Sequence, residues 1–283
     1  MSMFVTARGA AVGPVGQGTW HLGENNATFR TECNALRAGI EAGMNLIDTA
    51  EMHGDGAAEV LVGQAIQGFC REGLYLVSKV SPFHARRENI FTCCENSLRR
   101  MKTDYLDLYL LHWRRNVPLA ETVSCMEELK AQGKIRAWGV SNFDTADMKE
   151  LLALPEGGYC TANQVLYHLG SRGIEYNLLP LMKRHKIPVM AYCPLAQGGK
   201  LNGGLLENPA VLQVAHHHAI APAQVLLAFL LSRSGVLPIP CSGKPYHTQM
   251  NAKAVNVVLS PEELELLDLA YPAPRYKMPL DIV

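Results

Sequence analysis

Short apolar runs alternate along the chain with segments whose apolar residues recur at helical spacing. The runs are Val15–Gly18, Asn45–Asp48, Leu74–Lys79, Leu106–Leu111, Ile135–Ser141, Ala162–Gln164, Pro188–Tyr192 and Val236–Ile239. Several are apolar at nearly every position, the pattern of strands buried on both faces. Between them, Ile90, Cys94, Leu98 and Met101 share one helix face, as do Val123, Met126 and Leu129. Gly43 and Gly133 follow two of these segments, where a left-handed cap suits glycine. Thr145 and Ser260-Pro261 read as starts of further helices. Eight runs alternating with helical segments predict a parallel sheet closed into a (β/α)8 TIM barrel, an α/β fold. The competitor is an open doubly wound sheet. Its fingerprint G-x-G-x-x-G fails here, because Gly16-Gln17-Gly18-Thr19-Trp20-His21 lacks the third glycine.

No low-complexity tract or long linker interrupts the pattern, so residues 1–283 read as one domain. A small hairpin is expected at about residues 3–14, turning at Arg8-Gly9. The long loop after Tyr192 holds Gly198, Gly199, Gly203 and Gly204, a composition suited to a mobile lid.

Composition narrows the function classes. Lys plus Arg and Asp plus Glu number 26 each, which argues against nucleic acid as the main partner. Hydrophobic residues make up 48% and charged residues 18%, so a buried core is expected rather than disorder. The longest apolar run, Val225–Leu231, has seven residues. A membrane helix needs about 20. The start of the chain, MSMFVTARGA, lacks the charge and apolar pattern of a signal peptide. Eight cysteines without metal-ligand spacing read as free thiols in a reducing compartment, the cytoplasm.

In a barrel, chemistry gathers at the C-terminal ends of the strands. The polar residues there are Asp48, Lys79, His112, Ser141-Asn142, Asn163-Gln164 and Tyr192. The first four stand 31, 33 and 29 residues apart, one β/α unit each. Each has a structural reading: an ion pair for Asp48 and Lys79, a hydrogen-bonded core group for His112, loop satisfaction for Asn142 and Gln164, and packing for Tyr192. Their joint placement around one mouth favours a functional reading. His216, His217 and His218 look like a metal tract, but consecutive helical residues diverge by about 100°, so no metal is expected there.

These residues sit in a family pattern. It comprises Leu46-Ile47-Asp48-Thr49-Ala50-Glu51, Val77-Ser78-Lys79, Asp104 through Trp113, Gly133-Lys134-Ile135-Arg136, Gly139-Val140-Ser141-Asn142, Asn163-Gln164 and Ala191-Tyr192-Cys193-Pro194-Leu195. Along nearly its full length the chain resembles the aldo-keto reductase family, especially bacterial members described as aldehyde or methylglyoxal reductases. The resemblance implies a (β/α)8 barrel, a monomer, and hydride transfer from a nicotinamide cofactor to a small carbonyl substrate. The cofactor it implies is NADPH, with NADH as a possible substitute.

It also implies roles. The family's catalytic group is an Asp, a Tyr, a Lys and a His. Asp48, Lys79 and His112 match, and His53 stands at the tyrosine position. Tyrosine would give the proton that completes the alcohol, with its pKa drawn down from about 10 by the Lys–Asp pair. An unperturbed histidine has a pKa of about 6.5, and Lys79 would disfavour its imidazolium. Three readings follow: a slow reductase with His53 or His112 as acid and activity rising toward acid, a nearly inert cofactor binder, or a substitution introduced into an active parent. Ser141, Asn142 and Gln164 would hold the nicotinamide carboxamide, and Tyr192 would stack on its ring. Gly18 and Thr19 would approach from the first loop. Cys193, Pro194, Leu195, Gln197 and Gly198 would lie along the pyrophosphate.

At the adenosine phosphate end, Ile239 and Pro240 are followed by Cys241 where relatives carry lysine, and His247 stands where they carry arginine. Ser242, Lys244, Gln249 and Asn251 remain as ligands. Discrimination against NADH is expected below about 10³-fold, a ratio that corresponds to about 4 kcal/mol. Trp20, Met52, Phe83 and Trp113 would line an apolar substrate pocket. Two other classes stay open: a cofactor-binding protein with little turnover, such as a redox sensor, and a metal-dependent barrel hydrolase using Asp48, His53 and His112.

Overall fold

The structure, a computed structural model, describes residues 4–5, 11–196 and 204–283. A first strand, β1 (Phe4–Val5), pairs antiparallel with β2 (Ala11–Val12), within the segment expected to form a hairpin. The turn expected at Arg8-Gly9 lies outside the described residues. Eight parallel strands follow: β3 (Gln17–Gly18), β4 (Leu46–Asp48), β5 (Tyr75–Val80), β6 (Leu108–Leu111), β7 (Trp138–Ser141), β8 (Asn163–Leu166), β9 (Val189–Tyr192) and β10 (Val236–Pro238). Each falls on one of the eight apolar runs. They neighbour one another in chain order from β3 to β10.

The two ends of this sheet meet. Gly16 N–H donates to Pro238 O and Gly18 N–H to Pro240 O, both at 3.0 Å, so no parallel edge is left open. The seam requires glycine. A Cβ at Gly18 would lie 2.9 Å from Ile239 O, and one at Gly16 would lie 2.7 Å from Leu46 Cδ2. The closed eight-stranded sheet with its surrounding helices is the (β/α)8 barrel that the alternation predicted.

Among the described residues, ten α-helices surround or extend it: α1 (Phe29–Glu41), α2 (Ala57–Ala65), α3 (Arg87–Met101), α4 (Leu119–Ala131), α5 (Thr145–Leu152), α6 (Leu178–His185), α7 (Pro209–His218), α8 (Pro222–Leu231), α9 (Pro245–Lys253) and α10 (Pro261–Ala270). On α3 the buried face contains Ile90, Cys94, Leu98 and Met101, and on α4 Val123, Met126 and Leu129. These are the residues that the helical spacing selected. Gly43 and Gly133 follow α1 and α4 with φ of 91° and 74°. Asp144, one residue before Thr145, caps α5, and Ser260 caps α10; each forms a capping box, with Asp147 and Glu263 respectively. The apolar run Val225–Leu231 is the body of α8, buried on all sides through Leu230. Among the described residues, no single helix is long and apolar enough to cross a membrane.

Two apolar layers follow from the strand pattern. One fills the barrel, including Leu46, Val77, Leu110, Met190 and Leu237. The other lies between strands and helices, with Trp138, Tyr109 and Tyr167 as its largest fully buried members. The filled interior leaves space for chemistry only at the ends of the strands.

Candidate active site

A cavity of about 270 Å³ opens at the C-terminal ends of the strands. Its floor is a buried ion pair. Asp48 ends β4 and Lys79 lies near the end of β5, so neighbouring strands place them side by side. Lys79 Nζ donates to Asp48 Oδ2 at 2.7 Å and to Thr49 O at 2.9 Å. Gln164, on β8 across the barrel, donates from Nε2 to Asp48 Oδ1 at 2.7 Å. Burial pushes the Asp48 carboxyl up, and Lys79 and Gln164 pull it back.

Two histidines stand over this pair. His53 opens a tight turn whose next three residues, Gly54, Asp55 and Gly56, all have positive φ. Gly54 holds a φ of 56°, a conformation that strains any side chain. His112 follows β6, its N–H bound to Val80 O at 3.0 Å. The two rings meet edge to face, with centroids 5.8 Å apart. Burial, then the Lys79 ammonium, then His112 lower the pKa of His53 to about 2. Burial and Lys79 lower that of His112 to about 3. Both imidazoles are thus neutral at physiological pH. The buried Nδ1 of each has no hydrogen-bond partner among the described residues.

The amide and phenol groups expected to hold a ligand already engage one another. Asn142 has the left-handed φ of 57°. It donates from Nδ2 to His112 O at 3.1 Å and accepts Tyr192 O–H at 2.8 Å. Ser141 Oγ donates to Gln164 O at 2.9 Å. These contacts leave Gln164 Oε1, one Asn142 amide hydrogen and the Ser141 lone pairs to meet an incoming amide.

Of the expected site residues, the cavity brings together Asp48, His53, Lys79 and His112 with Gly18, Thr19, Ser141, Asn142, Gln164, Tyr192, Cys193, Ile239 and Cys241. Trp20, Met52 and Trp113 line its mouth. Phe83 does not line it; the ring is 56% exposed, with the Arg115 guanidinium 4.3 Å above it. Arg114 is held by Glu150 at 2.6 and 2.7 Å. A second cavity adjoins the first through Trp20 and Cys241 and runs past Ser242 and Lys244 to His247, at the start of α9. Neither cavity is lined by Pro194, Leu195, Pro240, Gln249 or Asn251. Asn251 is turned into the protein interior and Gln249 faces solvent, because α9 packs its other faces on α1. Gln197 and Gly198, and most of the glycine-rich loop expected to act as a lid, lie outside the described residues.

Sequence reasoning missed Val283 and His21. Val283 lines the main cavity together with Tyr192. His21 lines the second cavity. No periodicity or motif marks either position.

Residues 14–271 match the model of the aldo/keto reductase family. Methylglyoxal reductase YeaE of Escherichia coli is 57% identical over 269 residues, covering 95% of this chain and 94% of that protein. Glyoxal reductase of Bacillus subtilis is 36% identical over 83% of this chain and 81% of that protein. The crystal structure of an aldo-keto reductase from Klebsiella pneumoniae in complex with NADPH superposes with a TM-score of 0.97. It is 52% identical and covers 100% of this chain and 99% of its own. The barrel, the buried carboxylate–amine pair at its mouth and these matches together place the chain in the aldo/keto reductase family.

Proposed function

We propose that the protein reduces a small aldehyde or ketone, of the methylglyoxal class, with NADPH. The observation that carries this reading is the Asp48–Lys79 pair beneath His53 and His112, in the first of two adjoining cavities. The relatives support it, since one is named a methylglyoxal reductase and another was solved with NADPH.

The adjoining cavities make a slot of the elongated shape a dinucleotide requires. Ser141, Asn142 and Gln164 would take the carboxamide, and Tyr192 would face the ring. Ser242 and Lys244 would meet the adenosine phosphate at the N-terminal end of α9, where backbone N–H groups favour an anion. Cys241 brings no charge, so Lys244 would carry phosphate recognition, and NADH remains an admissible substitute. Bound nicotinamide supplies the hydride.

This chain supplies polarisation and the proton. A neutral imidazole polarises a carbonyl through its N–H, as an electrophile rather than a strong acid. Lys79 spends two donors on Asp48 and Thr49, and its remaining charge favours the developing alkoxide. Release of the His53 proton would require replacement at the other ring nitrogen. Its buried Nδ1 has no partner to provide one. Turnover is therefore slow in this reading, and the acid-side rise expected from the sequence is withdrawn, since burial takes His53 far below neutrality.

The same orphaned nitrogen favours a second reading, a cofactor-binding protein with little turnover. Fluorescence titration with NADPH and steady-state NADPH oxidation with methylglyoxal separate the two. Binding with measurable oxidation supports the reductase. Tight binding with none supports the second reading, and no binding overturns both.

A further inference from the structure

Away from the cavity, two side chains of different chemistry, an imidazole and a thiol, converge on Glu51. Glu51 lies in the loop after β4, two residues before His53. Its side chain is 9% exposed, and Oε1 accepts Ser81 N–H at 2.6 Å. His84, between β5 and α3, places Nδ1 3.0 Å from the same oxygen. Cys93, on α3, brings its thiol sulfur to within 4.8 Å of the Glu51 carboxylate oxygen and the His84 ring nitrogen. A carboxylate oxygen, an imidazole nitrogen and a thiol sulfur thus lie within 4.8 Å of one another. Half of the His84 side chain faces solvent, so the group is open to water.

We propose that Glu51, His84 and Cys93 form a binding site for a divalent transition-metal ion of the zinc type, with water at the fourth position. Sulfur, nitrogen and oxygen are the donors zinc takes, and three protein ligands leave one position open. Donors around a tetrahedral zinc stand about 3.3–3.6 Å apart, from metal–ligand distances of about 2.0–2.3 Å. His84 and Glu51 reach that spacing by parting a few tenths of an ångström. The Ser81 N–H holds the carboxylate in place, the kind of contact that orients a metal ligand. Arg100, whose charge acts on Cys93, is already paired with Glu59 at 2.6 Å.

Binding is balanced by proton loss. The Cys93 S–H bond breaks, a sulfur–zinc bond forms, and the proton leaves to solvent. His84 presents the Nδ1 lone pair, with its remaining hydrogen on Nε2. Affinity therefore rises with pH. The second convergent group, His217, His218 and Glu263, provides a control. There the carboxylate already closes the α10 capping box, and both histidines hydrogen-bond to it.

The test uses the full chain freed of metal. Zn²⁺ is titrated against a chromophoric chelator, and Co²⁺ is followed by its thiolate charge-transfer absorption. The expected result is a cobalt–thiolate band, with proton release on zinc binding. Cys93→Ser abolishes the band and weakens zinc at least tenfold. His84→Ala weakens zinc at least tenfold, and His217→Ala leaves the band intact. Absence of the band in the folded wild-type chain overturns the proposal, and this readout does not depend on any variant folding. Zinc binding that survives Cys93→Ser and disappears with His217→Ala also overturns it.

Discussion

At the scale of single residues, the proposed chemistry turns on His53. The proposed reading gives its imidazole the place of a proton-donating phenol, and its environment is hostile to charge. Lys79 repels a proton and burial removes the water that would solvate one. His53→Tyr is expected to raise the rate of methylglyoxal reduction by about 10²-fold or more, the usual worth of a positioned general acid. Steady-state NADPH oxidation checks this; equal rates would move the proton-donating role to His112 or to water. In the wild-type chain the rate is expected to stay flat from pH 6 to 8, because His53 and His112 titrate only near pH 2 and 3. A pH–rate profile with a break near 6.5 would contradict that.

Helix ends and loops set the next scale. Asp144 and Ser260 accept hydrogen bonds from the first turns of α5 and α10 and stop those helices from fraying. The Ser260-Pro261 start was legible in the sequence; the Asp144 cap lay one residue before the expected Thr145. Ser260→Ala is expected to cost about 1 kcal/mol in urea unfolding, with an unchanged m-value. The turn after His53 was not legible in this way. Its three successive left-handed residues, Gly54, Asp55 and Gly56, are of types that adopt positive φ, but that propensity does not say where the turn points. The turn's job is tertiary: it brings the His53 ring over Lys79.

At the scale of the whole molecule, closure of the barrel rests on a seam with no room for side chains. Gly18→Ala would drive a Cβ to 2.9 Å from Ile239 O, and is expected to destabilise the fold by about 1–3 kcal/mol in chemical denaturation. Acid provides a second global test. His53, His112 and His168 have pKa values lowered to about 2, 3 and 4, against 6.5 when exposed. Below pH 6.5 the unfolded chain binds protons that the folded chain refuses, so stability falls as pH drops. The loss is about 1.4 kcal/mol per pH unit for each histidine until its folded pKa is reached. Thermal midpoints should therefore fall between pH 7 and 5, and less steeply in His53→Tyr. An unchanged midpoint across that range would show that these rings are solvated.

The sequence by itself determined the eight strands, the buried faces of α3 and α4, and the order of Asp48, Lys79 and His112 around one mouth. Those features follow from local period: strands and helices repeat their apolar residues at fixed spacing, and one β/α unit places one polar residue at each strand end. Only the tertiary structure decided which groups touch. Gln164 reaches Asp48 across 116 residues of chain. Val283 joins Tyr192 at the cavity from the far end of the sequence, and Asn251 turns inward because α9 packs on α1. Such contacts are set by how the closed sheet folds distant segments together, and no local pattern carries that information. The neutrality of His53 has the same origin, since a residue's type sets its ordinary pKa and only its surroundings move it.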